Sequence, residues 1–243
     1  MPSLSAAELI SLWEAGAGQH PVERAVTLLS AWSREPREKT ASLSIGRRDR
    51  QLGAIYQVLF GPLLKGFAEC PKCAERLEYE IAVPELHSGS EESNPREITL
   101  FSGEVLLHLR LPNSFDLMAV RECSSLQAAQ RTLGERCILD ACVEQRAVAV
   151  NALPENTWDE IAARLAESDP GAETLIDLTC AACGHGWQVM LDIERFLWAR
   201  INAVARRLLH EVHILAQVYH WSEAEILALT PTRRQFYLEM AQA

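Results

Sequence analysis

Two Cys-x-x-Cys pairs constrain this chain more than any other feature: Cys70-Pro71-Lys72-Cys73 and Cys180-Ala181-Ala182-Cys183. Two residues between cysteines let a tight turn aim both thiolates at one point, and amides just after the turn can hydrogen-bond to sulfur. Two such turns complete a tetrahedron, so Cys70, Cys73, Cys180 and Cys183 are the predicted ligands of one structural Zn2+. The pairs are separated by 106 residues, far more than in a compact finger. Loop closure grows only logarithmically with length, so such an insertion costs on the order of a few kcal/mol, against on the order of 10 kcal/mol for structural zinc. The metal would then clasp the front of the chain to its back. Four thiolates leave no open position for water, which makes the predicted site structural rather than catalytic.

Redox-active or unliganded dithiols, and separate or different metal sites, are the alternatives. Each pair leads into an alternating strand and not into a helix that would lower a thiol pKa, which argues against redox chemistry. His185, two residues beyond Cys183, is expected on the surface or beside the ligands rather than among them. Lys72 and Arg76 either offset the negative cluster or are simply solvated. Seven cysteines cannot pair completely within one chain, which favours metal and a reducing compartment over disulfides. Cys123, Cys137 and Cys142 lack metal-like spacing and read as small buried apolar residues.

With 243 residues and 48% hydrophobic content, the chain can bury a substantial core. No apolar run reaches the roughly 18–20 residues that span a bilayer, and the first residues lack a signal-peptide pattern, so no membrane span and no export are expected. A formal charge of −10 repels a phosphate backbone, so nucleic acid is not an expected partner. Arg195, Arg200, Arg206 and Arg207 read as the solvated face of a helix.

Along the chain, Ser5 caps a helix through Trp13, Pro21 opens a second through Trp32, and Ser44 opens a third carrying Leu52, Ile55, Leu59 and Phe60, ended by Gly61-Pro62. Residues 76–83 alternate as a strand that Pro84 stops. Residues 87–97 are polar and turn-rich, predicting an exposed loop. A strand over 105–111 hands over to a capped helix at Pro112-Asn113-Ser114; residues 124–143 and 155–167 have helical periodicity. Asp169-Pro170-Gly171 turns into a strand over 174–179, and 187–193 alternates again. From Glu194 to Tyr219 the period becomes 3.6, with Phe196, Leu197, Ile201, Val204, Leu208, Val212 and Leu215 forming an apolar stripe expected to face the chain's own core. Ser222 with Glu225 forms a capping box, and Thr230-Pro231 opens a last helix.

The expected fold is therefore α+β, helix-rich, with a small antiparallel zinc-ribbon-like β region formed by the two distant knuckles. Residues 1–66 form an N-terminal helical region. Residues 67–193 form the ribbon region, with a helical/β subdomain inserted at about 84–173, and residues 194–243 form C-terminal helices, all in one integrated domain. No nucleophile–base pair, phosphate loop or completed His-Glu-x-x-His pattern occurs. Gly16-Ala17-Gly18 falls in a helix–helix turn, His210 and His213 are three apart, and the other histidines are scattered. A non-enzymatic protein without a small-molecule substrate is expected.

Several segments resemble the T-even-type phage baseplate proteins described as baseplate hub assembly chaperones, found in contractile tails and contractile injection systems. They are LWEAGAGQHPVERAVTLL (12–29), LSIGRRDRQL (43–52), FGPLL (60–64), CPKCAERLEYE (70–80), LPNSFDL (111–117), CAACGHGWQVMLDI (180–193) and HEVHILAQVYHWSEAEILALTPTRRQFYLEM (210–240). The resemblance implies a structural or assembly role with other baseplate or hub proteins as partners. It also implies metal ligation by the four cysteines and a place in the bacterial cytoplasm during assembly or in the finished particle. Ala74 stands where the second knuckle has Gly184, a departure that concerns turn geometry and not the ligands. A zinc-ribbon adaptor in another complex, such as a transcription-associated one, is the other reading.

Overall fold

The structure is a computed structural model and describes residues 4–87 and 97–241. Ten α-helices and eight strands occur among the described residues. Ser5 opens α1 (Ala6–Gly16) by a reciprocal cap: Glu8 N–H donates to Ser5 Oγ (3.2 Å) and Ser5 N–H to Glu8 Oε2 (2.8 Å), satisfying donors that the helix itself cannot. Pro21 begins α2 (Pro21–Ser33), a short α3 spans Arg37–Ala41, and Ser44 caps α4 (Ile45–Phe60), which Gly61 ends at φ +89°. Strands β1 (Leu63–Glu69) and β2 (Arg76–Ala82) pair antiparallel from Leu63↔Ala82 to Glu69↔Arg76, forming the first ribbon. A four-stranded antiparallel sheet follows, ordered β3 (Ile98–Ser102), β4 (Val105–Leu109), β5 (Ile138–Val143) and β6 (Arg146–Ala147). Helices α5 (Ser114–Val120) and α6 (Leu126–Cys137) lie between β4 and β5, and α7 (Asn156–Ser168) follows β6. The second ribbon pairs β7 (Leu175–Thr179) with β8 (Gly186–Met190), and α8 (Ile193–Tyr219), α9 (Glu223–Ala228) and α10 (Pro231–Ala241) complete the order.

Three cores organise these elements. Helix α8 places Ile193, Leu197, Ile201, Ala205 and Leu208 on one face, which packs with Leu28 of α2, Leu52 of α4 and Leu64 of β1. The stripe predicted over this helix therefore buries within the chain; each fully buried leucine or isoleucine contributes roughly 1.5–3 kcal/mol. Trp13 Nε1–H donates to Asn202 Oδ1 (2.8 Å), tying α1 to α8. The second core, between the knuckles, gathers Ile98, Leu107, Leu109, Cys137, Trp158, Ile161 and Leu165. In the third, Leu215, Ile226 and Leu238 join the ends of α8, α9 and α10, beside stacked Tyr219 and Trp221. The insertion is seated on the helices where Gly46 N–H donates to Asp169 Oδ2 (2.9 Å); a methyl group on Gly46 would lie 2.0 Å from Asp169 Oδ1, so only glycine permits this seam.

Several boundaries differ from the sequence expectation. Residues 124–143 are not one helix: α6 ends at Cys137, and Ile138–Val143 leaves as β5 because its backbone pairs with β4 through Leu106↔Cys142 and Leu107↔Ala141. The expected helical region up to residue 66 already contains most of β1, whose Leu63-Leu64 and Gly66 disguise a strand but whose backbone is paired to β2 along its whole length. Strand β3 and helix α3 were not legible, and the strand expected over 187–193 stops at Met190, where Asp192 caps α8 by accepting from Arg195 N–H (3.1 Å). The loop expected over residues 87–97 lies almost wholly outside the described residues. No described helix is long and apolar enough to cross a membrane.

Candidate metal centre

Each knuckle is built by the same pair of backbone hydrogen bonds. In the first, Cys70 N–H donates to Glu75 O and Ala74 N–H to Cys70 O, both 2.9 Å. In the second, Cys180 N–H donates to His185 O and Gly184 N–H to Cys180 O, again both 2.9 Å. These bonds close a turn at the tip of each ribbon and hold its two sulfurs on one side. The turn requires a left-handed residue after the second cysteine, supplied by Ala74 (φ +58°) and Gly184 (φ +69°). Ala74 carries the strain that a Cβ imposes there, and nothing lies within 4 Å of a methyl group added to Gly184. Ala74→Gly is accordingly expected to stabilise the protein by about 0.5–1 kcal/mol, the released strain exceeding the added chain entropy, and Gly184→Ala to destabilise it by about 1 kcal/mol. Denaturant melts of the two variants with unequal signs would bear this out; a loss of stability in Ala74→Gly would refute it.

The four sulfurs, from elements more than a hundred residues apart, all lie within 4.8 Å of one another. Cys70 Sγ is 3.7 Å from Cys183 Sγ and Cys73 Sγ is 3.6 Å from Cys180 Sγ. A disulfide needs about 2.05 Å, whereas a tetrahedron with metal–sulfur bonds of about 2.3 Å has edges of about 3.8 Å. The donor set and its spacing thus fit a tetrahedral metal ion. Cys70 and Cys180 are buried, Cys183 is half-buried and Cys73 is exposed.

Without metal the four thiols cannot all ionise. Burial works against ionisation of Cys70, but the N–H groups of Lys72 and Cys73 and the neighbouring thiols overcome it and draw it down to about 7. Cys73, despite the N–H of Glu75, is pushed up to about 12 by Cys183, burial, Cys180 and Cys70. Cys183 is also raised, burial and the Cys180 and Cys70 thiols prevailing over the N–H of His185 and the bond to Cys73. A divalent cation would replace these protons, so its affinity falls as pH falls.

All four predicted ligands are brought together. His185 is outside the cluster, its ring stacked on Trp187 with centroids 6.2 Å apart, and its backbone serves the knuckle instead. Lys72 and Arg76 are exposed beside it. Cys137 is fully buried and its thiol is pushed up to about 12, first by that burial, as suits an inert core residue; Cys123 and Cys142 are only half-buried.

One further polar centre escaped the sequence reading. Buried Asp116 accepts from Arg110 through both oxygens (2.6 and 2.9 Å), from Arg136 Nε (2.9 Å) and from Asn113 N–H (3.0 Å). Its signal was the capping spacing Asn113-x-x-Asp116. The arginines come from the end of β4 and the end of α6, so the carboxylate joins three elements at one corner.

No family model, no curated protein and no solved structure matches this chain. The fold and the site define it as a helix-rich α+β protein in which two distant ribbons bring four cysteines into a cluster able to hold a metal ion.

Proposed function

We propose that the cluster holds one structural zinc ion and that the chain is a non-enzymatic structural or assembly protein, working in the baseplate or hub of a phage tail or contractile injection system. The observation that carries the metal is the convergence of Cys70, Cys73, Cys180 and Cys183 within 4.8 Å. All-thiolate tetrahedral sites suit zinc, and a shell closed by four sulfurs has no position for substrate or water. The clasp fixes the tips of both ribbons together, so the helices before the first and after the second are held as one surface. What supports the setting is the resemblance of segments 12–29, 111–117 and 210–240 to baseplate assembly proteins.

Deleting the gene from its phage or injection-system cluster and complementing it with wild type or with Cys70→Ser/Cys180→Ser tests the role. Loss of sheathed particles in the deletion and rescue by wild type but not by the double variant are the expected results. Normal particles in the deletion would refute the assembly reading. Salt-sensitive DNA binding by the purified protein would move it to the transcription-associated alternative.

A further inference from the structure

A groove of about 670 Å³ runs between the first ribbon, β8 and helix α8. Phe60, Leu63, Phe67, Tyr79, Met190 and Phe196 give it apolar walls. Leu63, Phe67 and Met190 are 46%, 66% and 63% exposed, on strand faces where an unpartnered ribbon would carry polar side chains. Strand β1, which supplies two of them, has a ladder partner on one side only among the described residues.

The rim is basic, although the chain as a whole carries −10. Arg195 and Arg200 are exposed on α8 beside the groove, and neither forms an ion pair with a described carboxylate. The Arg200 guanidinium lies 5.2 Å over the Phe60 ring, which holds it at the apolar wall. Lys65 is engaged by Glu80, and the one acid of the lining, Asp192, accepts the Arg195 N–H as the cap of α8. Two uncommitted guanidiniums against an aromatic wall select a ligand that offers carboxylates next to aliphatic or aromatic groups.

We propose that this groove docks an acidic segment of a partner protein, its apolar side chain seated among Phe60, Phe67 and Met190 and its carboxylates on Arg195 and Arg200. The proposal rests on reading the chain as an assembly protein and names the chemistry of what it docks. The net charge of −10 disfavours an acidic segment over the surface as a whole, and the two arginines offset it at this rim, which makes them the source of specificity.

The test is selection of a random dodecapeptide phage library on the zinc-replete protein, with counter-selection on Arg195→Glu/Arg200→Glu, followed by fluorescence polarisation of an enriched peptide. Enrichment of Asp and Glu beside large apolar residues is expected. Affinity should fall about tenfold or more in the charge-reversed variant and in Phe67→Ser, and fall again as salt is raised. All three side chains are exposed, so the variants should keep their zinc and their melting temperature. An enriched set without excess acid, an empty selection, or equal affinity for the variants overturns the proposal. So does sedimentation showing a wild-type dimer that Arg195→Glu/Arg200→Glu dissolves, because the groove would then be a face between copies of this chain. Complementation of the deletion strain separates the groove from the assembly reading it rests on: loss of particles in the deletion with full rescue by Arg195→Glu/Arg200→Glu sinks the groove alone, and normal particles in the deletion sink the assembly reading.

Discussion

Cys70→Ser/Cys180→Ser is expected to remove the metal and to unfold much of the protein near physiological temperature. Together the two substitutions take one cysteine from each knuckle, so neither ribbon retains a chelating pair of thiolates. Structural zinc contributes on the order of 10 kcal/mol at neutral pH, comparable with the whole stability of a typical domain, about 5–15 kcal/mol. The effect should be largest where the two ribbons meet, because a metal held by the four thiolates would be the bond that joins their tips. Elemental analysis should find about one zinc per wild-type chain and none in the variant, with a melting temperature lower by tens of degrees. Cys123→Ser, outside the cluster, should retain both metal and melt. A metal-free wild type whose melt is indifferent to the double substitution would return the two pairs to the dithiol reading.

Asp116→Asn should cost about 3 kcal/mol at neutral pH, since the amide cannot satisfy Arg110 and Arg136 together and the guanidiniums lose their counter-charge. The magnitude is below that of a fully buried pair because the side chains of Arg110 and Arg136 are 29% and 41% exposed and partly solvated. Burial disfavours the Asp116 carboxylate, yet the bonds from Arg110, Asn113 N–H and Arg136 outweigh it and hold the carboxyl below its ordinary range. A folded-state pKa below the unfolded value of about 3.9 means that the stabilisation is complete above that value and is lost as pH falls through the folded pKa. The gap between wild type and variant should therefore be constant from pH 7 to about pH 5 and close below about pH 4. Urea unfolding of both proteins across that range measures it. Metal loss in acid affects both alike and cancels in the difference. A gap that persists unchanged at pH 3 would show that the carboxylate's charge is not what holds the corner.

The local grammar of this chain is strong where one turn or one period decides. Ser5-x-x-Glu8 and Ser222-x-x-Glu225 form the reciprocal caps that their spacing predicts, and the stripe on α8 buries along the face that a 3.6-residue period assigns. The Cys-x-x-Cys spacing likewise dictates a knuckle, because both sulfurs must leave one tight turn. The sequence misleads where pairing at a distance overrides local preference. Ile138–Val143 continues a helical pattern but ends as a strand because β4 offers it a ladder. Leu63–Glu69 lacks β-branched residues and becomes a strand through the register set by its partner.

Sequence by itself determined that Cys70, Cys73, Cys180 and Cys183 stand in two knuckle turns able to offer thiolates to a metal ion, and it determined the mixed, helix-rich character of the fold, since turn geometry and hydrophobic period are properties of a few neighbouring residues. Only the tertiary structure decided that sulfurs from knuckles with 106 residues between them meet within 4.8 Å, that Asp116 gathers two arginines, and that Phe60, Phe67 and Arg200 border one groove. The reason is physical: these juxtapositions depend on how helices and ribbons pack, and packing is set by the shared burial of residues that no local window contains.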